Sequence, residues 1–344
     1  MRAISFKNDR LFYLDQSGLP TKEIWKECKS LKDGISAIRN LEVRGAPLLG
    51  VFVGYVLYIA SKNFSSSKKN FLKQFNHALN SLKNSRPTAI NLFWSLNKIE
   101  NAVKSNIEKD VNTLKKLILK LAKQIDYQDR LLCENIANFG IKLIEDGDVI
   151  LTHCNTGSLA TAGIGTALGI IYNAYKKFKN IKIYVDETRP LLQGARLTAW
   201  ELYKRKIPCT VICDNMAAYL MQQKKINKII VGADRITAYA DVANKVGTYN
   251  LAVLAYYHKI PFYVVAPFSS FDLKIKNGKD IPIEQREPCE VQKLNNIYIT
   301  PKKVSVYNPA FDVTPSKLIT AIVTDRGIIK PPYKKSIKKM FLEL

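Results

Sequence analysis

The chain has 344 residues, 47% of them hydrophobic and 10% aromatic, which allows two packed domains of roughly 150 residues each and excludes a largely disordered polypeptide. Its 53 basic and 29 acidic side chains leave a net charge of +24, a balance that raises nucleic acid as a partner, yet only 12 of the basic residues are Arg. The 41 lysines scatter over segments such as Ser67–Lys73, Asn112–Lys123, Gln222–Lys228 and Lys334–Lys339, with no stripe of Arg forks and stacking aromatics, so no specific nucleic-acid site is expected.

The opening residues, MRAISFKNDR, carry no hydrophobic stretch before a cleavage site and are not expected to act as a signal peptide. From Thr21 to Asp126 the apolar spacing is mostly helical, as in Phe71, Phe75, Leu79 and Leu82, and again in Leu114, Leu117, Ile118 and Leu121. The longest apolar run, around Leu48–Ala60, is broken by Pro47, Gly50 and Gly54 and falls short of the ~20 residues that cross a bilayer. A helix over Asp126–Gly147 is predicted to join two parts. The expected division is a mainly helical domain at 1–125 that contributes substrate contacts, a helical linker at 126–147, and a catalytic domain at 148–344.

Beyond Gly147 short apolar runs alternate with amphipathic segments. Strands are predicted at Val149–His153, Ile181–Val185, Cys209–Cys213, Lys228–Val231, Pro261–Val265 and Val304–Val306. Helices are predicted between them at Ser158–Phe178, Gly194–Arg205, Asn215–Gln223, Thr248–His258 and Ser316–Thr320. Strands that are apolar throughout, each followed by a helix, indicate a parallel sheet covered on both faces. The expected class is therefore α/β, a Rossmann-like doubly wound, mostly parallel sheet behind a smaller mainly helical domain. The six cysteines (Cys28, Cys133, Cys154, Cys209, Cys213 and Cys289) form no CxxC pair and no paired-His spacing. Neither a structural zinc nor a disulfide framework is expected, and the chain reads as a soluble cytoplasmic protein with no membrane partner.

Ligands of open parallel sheets sit beyond the carboxyl ends of the strands. After the first predicted strand comes His153-Cys154-Asn155-Thr156-Gly157-Ser158. A helix starting at Gly157 and Ser158 would offer free N–H groups to an anion and favour a Cys154 thiolate; the alternative is a buried cysteine with glycines for close packing. After the second comes Asp186-Glu187-Thr188-Arg189-Pro190-Leu191-Leu192-Gln193-Gly194-Ala195-Arg196, either a polar site or a solvated loop with an ion pair. Asn215 reads as a helix cap. The fourth leads into Gly232-Ala233-Asp234-Arg235, where a partly desolvated Asp234 suits acid or base work, unless it caps the next helix or pairs with Arg235. Asn244-Lys245-Val246-Gly247-Thr248 reads as a polar turn opening a helix and suited to a phosphate. In the first domain Arg44-Gly45-Ala46-Pro47 and Arg86-Pro87-Thr88 stand out against the Lys-rich background, as bidentate anion contacts or as ordinary ion pairs. Together these signals point to a catalytic cleft for a phosphorylated small molecule.

The same segments, with Arg86 through Leu92, Asp186 through Trp200 and Asn308-Pro309-Ala310-Phe311-Asp312, resemble the methylthioribose-1-phosphate isomerases, over about Leu41 to Pro315. That branch shares a family with regulatory subunits of the translation-initiation guanine-nucleotide exchange factor. The resemblance implies an intramolecular oxidoreductase, converting 5-methylthioribose 1-phosphate to 5-methylthioribulose 1-phosphate in methionine salvage, and a homodimer. It implies substrate binding at Arg44, Gly45, Ala46, Arg86, Gln193, Asn244 and Lys245, an acid at Asp234, and a transition-state partner at Cys154. It implies no metal and no organic cofactor. The anomeric phosphate blocks free hemiacetal opening, so an acid must help to break the ring C–O bond. Hydrogen then moves from C2 to C1, as a proton through an enediol or as a hydride. The alternatives are an isomerase of another pentose 1-phosphate (ribose 1,5-bisphosphate or a 5-deoxypentose 1-phosphate) and a non-catalytic regulatory subunit, against which Cys154 together with Asp234 argues.

Overall fold

The chain leaves its first compact unit, Met1–Glu134, partway along a helix, and comes back to it for one short segment, Gly157–Gly165; the second unit holds Asn135–Thr156 and Thr166–Leu344. These are units of a computed structural model that describes residues 1–87, 89–294 and 296–342, so Thr88 of the Arg86-Pro87-Thr88 segment lies outside the described residues.

The first unit opens with an antiparallel sheet that the helical spacing did not announce: β1 (Ile4–Lys7), β2 (Arg10–Leu14) and β3 (Trp25–Cys28), with Ile4 opposite Tyr13 and Leu14 opposite Trp25. Strands of four or five residues give too short an alternation to stand out from their neighbours. Five helices follow: α1 (Leu31–Arg39), α2 (Ala46–Lys62), α3 (Lys68–Lys83), α4 (Ile90–Lys104) and α5 (Val111–Gly140). The apolar run at Leu48–Ala60 is the middle of α2, whose Leu48, Phe52, Val53 and Leu57 are all fully buried, so it is a core helix. Phe71, Phe75, Leu79 and Leu82 of α3 and Leu114 and Ile118 of α5 are buried as their spacing predicts. The helix predicted from Asp126 is the second half of α5 and a single 3-10 turn, Ile141–Leu143. Among the described residues no helix is long and apolar enough to cross a membrane.

Gly45 caps α2 with φ +92°, a backbone conformation that L side chains rarely adopt, and a Cβ there would lie 2.5 Å from Cα of Ala160. The Arg44-Gly45-Ala46 turn therefore packs on the returning segment, and Leu48 N–H donates to Ala160 O at 3.0 Å. Asp129 of α5 holds the same segment by accepting Ala162 N–H at 2.6 Å, and burial pushes its carboxyl from 3.8 up to about 7. A carboxyl raised on folding keeps a proton that the unfolded chain has already lost, so stability falls as pH climbs from about 4 to about 7. Asp129→Asn is expected to flatten that fall. The check is the urea midpoint at about pH 5 and about pH 8, where wild type should lose a few kcal/mol more than the variant.

The second unit is built on a seven-stranded sheet. Its members are β4 (Val149–Thr152), β5 (Lys182–Asp186), β6 (Thr210–Ile212), β7 (Lys228–Gly232), β10 (Phe262–Val265), β15 (Ala321–Thr324) and β16 (Gly327–Ile329), in the spatial order β16-β15-β10-β7-β4-β5-β6. All neighbours are parallel except β15 and β16. Leu151, Ile229, Val231, Val264 and Ile322 are fully buried, as expected for strands covered on both faces. The chain runs from β4 outward to β6, then returns to β7 and runs outward to β15. The strand order thus reverses between β4 and β7, the place where ligands of such sheets bind. Helices α6 (Ala167–Lys177), α7 (Ala199–Lys204), α8 (Met216–Gln222) and α9 (Thr248–Tyr257) lie in the predicted intervals.

Several boundaries differ from expectation. The helix predicted from Ser158 begins only at Ala167, because Gly157–Gly165 is irregular chain that belongs to the first unit. Val304–Val306 is an irregular segment, exposed at Val304 and Ser305, and not a strand, and Ser316–Thr320 is reduced to one 3-10 turn at Ser316–Leu318. A second sheet, of mixed direction and in the order β11-β8-β9-β14, was not foreseen; it consists of β8 (Arg235–Thr237), β9 (Val242–Lys245), β11 (Phe271–Asp272) and β14 (Phe311–Thr314). The short helix α10 (Cys289–Gln292), the hairpin β12 (Lys293–Leu294) and β13 (Ile297–Tyr298), and the terminal helix α11 (Tyr333–Leu342) complete the unit.

Candidate active site

Cys154 follows β4 with φ +62°, a left-handed conformation uncommon for any residue but glycine. Its N–H donates to Thr188 Oγ1 at 2.8 Å, and its carbonyl accepts the Thr198 hydroxyl at 2.6 Å. The expected helix dipole behind Cys154 is absent, since no helix starts at Gly157; side-chain hydrogen bonds fix the residue instead. The neighbouring Asn155 is buried, and its amide donates to Glu201 Oε1 at 2.8 Å and to Thr198 Oγ1 at 3.3 Å.

His153 is fully buried between two other loops. Its Nε2 lies 3.0 Å from Val246 O and its Nδ1 lies 2.9 Å from Asp186 Oδ2. A carbonyl only accepts, so Nε2 carries a proton, and a second proton is shared between Nδ1 and the Asp186 carboxyl. Burial, the largest single influence, pulls the imidazole down, but the hydrogen bond to Asp186 together with the charges of Asp186 and Asp214 leaves His153 raised overall; burial raises Asp186. His153, Asp186 and Asp214 are the one set of three metal-capable side chains in close approach among the described residues. The Asp214 carboxylate accepts Thr188 N–H and Arg189 N–H, each at 2.7 Å, while Asp186 Oδ1 is buried with no hydrogen-bond partner.

Gln193 is buried ahead of a π-helical turn at Gly194–Thr198, and its side-chain oxygen has no hydrogen-bond partner. Gly194 lets that turn fold back onto the end of β5, because a Cβ there would sit 1.7 Å from Asp186 O. Gly194→Ala is expected to destabilise the protein by more than about 3 kcal/mol, read as a lower urea midpoint, since the obstructing atom is backbone and cannot swing away.

Asp234 is half-buried at the end of β7, and its N–H donates to Ala243 O at 3.0 Å. Arg235 forms an ion pair with Asp272 at 3.4 Å. Asn244 and Lys245 end a strand and do not form the turn that was expected. Both are buried; Asn244 Nδ2 donates to Thr248 Oγ1 at 2.9 Å, and Lys245 Nζ lies 5.7 Å from the Phe311 ring centre. The opening of α9 is not open to a phosphate as expected, because the Asp312 carboxylate already accepts Gly247 N–H at 2.7 Å and Tyr249 N–H at 3.1 Å. Asn215 precedes α8 but its side chain makes no capping bond.

Within the second unit, then, Cys154, Gln193 and Asp234 stand just past the carboxyl ends of β4, β5 and β7, with Asn244 and Lys245 on the strand that pairs beside Asp234. Arg44, Gly45, Ala46 and Arg86 belong to the first unit, at the start of α2 and ahead of α4. Sequence reasoning did not assign roles to Thr188, Thr198, His153, Asp186 or Asp312; apart from lying in or next to the quoted motifs, they carry no local signal.

A doubly wound sheet with its polar residues gathered at the reversal of strand order defines an α/β protein of the small-ligand-binding type. The chain belongs to the Initiation factor 2 subunit family, which it matches over residues 42–331. It is 46% identical over 341 residues to the methylthioribose-1-phosphate isomerase of Petrotoga mobilis, covering 98% of each chain. It is 46% identical over 338 residues to the 5-deoxyribose 1-phosphate isomerase of Moorella thermoacetica, covering 98% of this chain and 96% of that one. Among solved structures it matches 5-methylthioribose 1-phosphate isomerase from Pyrococcus horikoshii OT3 with a TM-score of 0.94 and 44% identity, over 100% of this chain and 96% of that one. It matches the translation initiation factor eIF-2B subunit delta from A. fulgidus with a TM-score of 0.88 and 39% identity, over 99% of both.

Proposed function

We propose that this chain is an aldose–ketose isomerase that converts 5-methylthioribose 1-phosphate to 5-methylthioribulose 1-phosphate in methionine salvage, acting as a cytoplasmic homodimer. The observation that carries the reading is near-full-length similarity to enzymes of that name, in a chain with Cys154 and Asp234 after the two strands that flank the reversal. Asp234 delivers a proton to the ring oxygen as the C1–O bond breaks. Hydrogen then leaves C2 and arrives at C1, while the C2 hydroxyl gives up its proton and becomes the ketone. Cys154 acts at C2, where hydrogen leaves and charge develops. Arg44, Gly45, Ala46, Arg86, Gln193, Asn244 and Lys245 hold the substrate. The buried, unpaired oxygen of Gln193 supports its part, since a sugar hydroxyl would satisfy it.

A second reading differs only at C5, and the Moorella relative favours it: 5-deoxyribose 1-phosphate as substrate. The two sugars differ by a methylthio group, whose burial in an apolar pocket discriminates by roughly 10–200-fold. Measured side by side, kcat/KM should favour the methylthio sugar by at least about tenfold. A preference for the deoxy sugar replaces the first reading with the second.

A further inference from the structure

We propose that Thr188 and Thr198 are positioning residues that clamp Cys154 in the geometry its chemistry needs. The inference rests on the reading of Cys154 as the group that acts at C2. Cys154 occupies a left-handed backbone conformation at φ +62°, which persists only where surrounding structure over-determines it. Two hydroxyls supply that determination, one on each side of the residue. Thr188 Oγ1 takes the Cys154 N–H, and the Thr198 hydroxyl donates to the Cys154 carbonyl. Neither hydroxyl has a choice of direction. Thr188 spends its own proton on Asp186 O at 3.0 Å, and Thr198 accepts the Asn155 amide at 3.3 Å while donating to Cys154. Both side chains are buried, at 0% and 1% exposure, so no solvent competes.

The clamp is itself held in place. Thr188 is left-handed too, at φ +65°, and its N–H is fixed by the Asp214 carboxylate. Thr198 closes the π-helical turn that starts at Gly194, where the absence of a side chain allows contact with Asp186 O. Wide turns of this kind recur at functional sites. The loops after β4 and β5 thus converge on the backbone of one cysteine, while its thiol takes part in none of these bonds.

Thr198→Val removes the hydroxyl at constant shape, and Thr198→Ser keeps it. Four quantities are read for each protein: kcat and KM with 5-methylthioribose 1-phosphate, the iodoacetamide alkylation rate of the Cys154 peptide followed by mass spectrometry, and folding by circular dichroism. In the valine variant kcat should fall at least about tenfold with KM within about twofold, and the alkylation rate should shift at least about threefold. Serine should return both to within about threefold of wild type. If the valine variant does not fold, Thr198→Ala removes the same hydroxyl and is measured instead. Unchanged alkylation, an unchanged kcat, or a loss that serine does not restore overturns the clamp. Because alkylation needs no substrate, a wild-type protein that fails to turn over this sugar overturns the proposed reaction and still leaves the clamp testable.

Discussion

Asp234→Asn is expected to lower kcat by about 10²–10⁴-fold while the protein stays folded and still binds substrate, the range that a positioned acid or base contributes. The amide has the shape of the carboxyl and cannot deliver a proton to the ring oxygen. The fold should not notice the change. Asp234 is half-buried, and the substitution leaves in place its backbone N–H bond to Ala243 O. Product formation gives kcat, and calorimetric titration gives the affinity, which should stay within about threefold. A variant that turns over at a rate near wild type would remove Asp234 from the proton transfer.

Cys154→Ser is expected to lower kcat by at least about 10²-fold, comparable with removing one group that stabilises developing charge. Cys154→Ala should do the same. The bonds to Thr188 and from Thr198 run through the backbone of residue 154 and survive both changes, so the melting temperature should hardly move. Buried structural cysteines behave the other way, losing stability without a specific loss of rate. Activity that survives in the serine variant, with wild type indifferent to alkylation, would make Cys154 a packing residue.

How much of this was legible in the sequence depended on the length of each pattern. Strands β4, β7 and β10 are apolar almost throughout, and β5 has an Ile-Tyr-Val centre, so their presence and parallel arrangement could be read directly. Strands β8 and β9 could not: Arg235-Ile236-Thr237 and Val242-Ala243-Asn244-Lys245 are short and mixed in polarity, and they acquire meaning only once paired with each other and with β14. The segment from Ser158 looks helical because Leu159, Ala160, Ala162 and Ile164 are spaced for it. Its backbone groups are satisfied from elsewhere in the first unit, with Gln16 donating to Leu159 O at 2.8 Å and Asp129 accepting from Ala162 N–H. Tertiary partners replaced the helical bonds.

The candidate site divides in the same way. Cys154 and Asp234 lie just after strands of the parallel sheet, and position relative to such a strand can be read from local pattern. Residues that hold them lie far away in the chain: Thr188 acts on a residue 34 positions earlier, Thr198 on one 44 earlier, and Asp312 on one 65 earlier. No local periodicity encodes such pairings. Asp312 also explains why the phosphate role expected at the start of α9 does not hold, since its carboxylate fills the place an anion would take.

The most direct measurement is to mix the purified protein with 5-methylthioribose 1-phosphate, with no added metal or nucleotide, and follow the mixture by proton and phosphorus NMR. Loss of the anomeric proton signal, matched by the appearance of a ketose 1-phosphate, is the expected result. A folded protein that leaves both spectra unchanged would contradict the isomerase assignment and turn attention to another C1-phosphorylated pentose or to the binding-only members of the family.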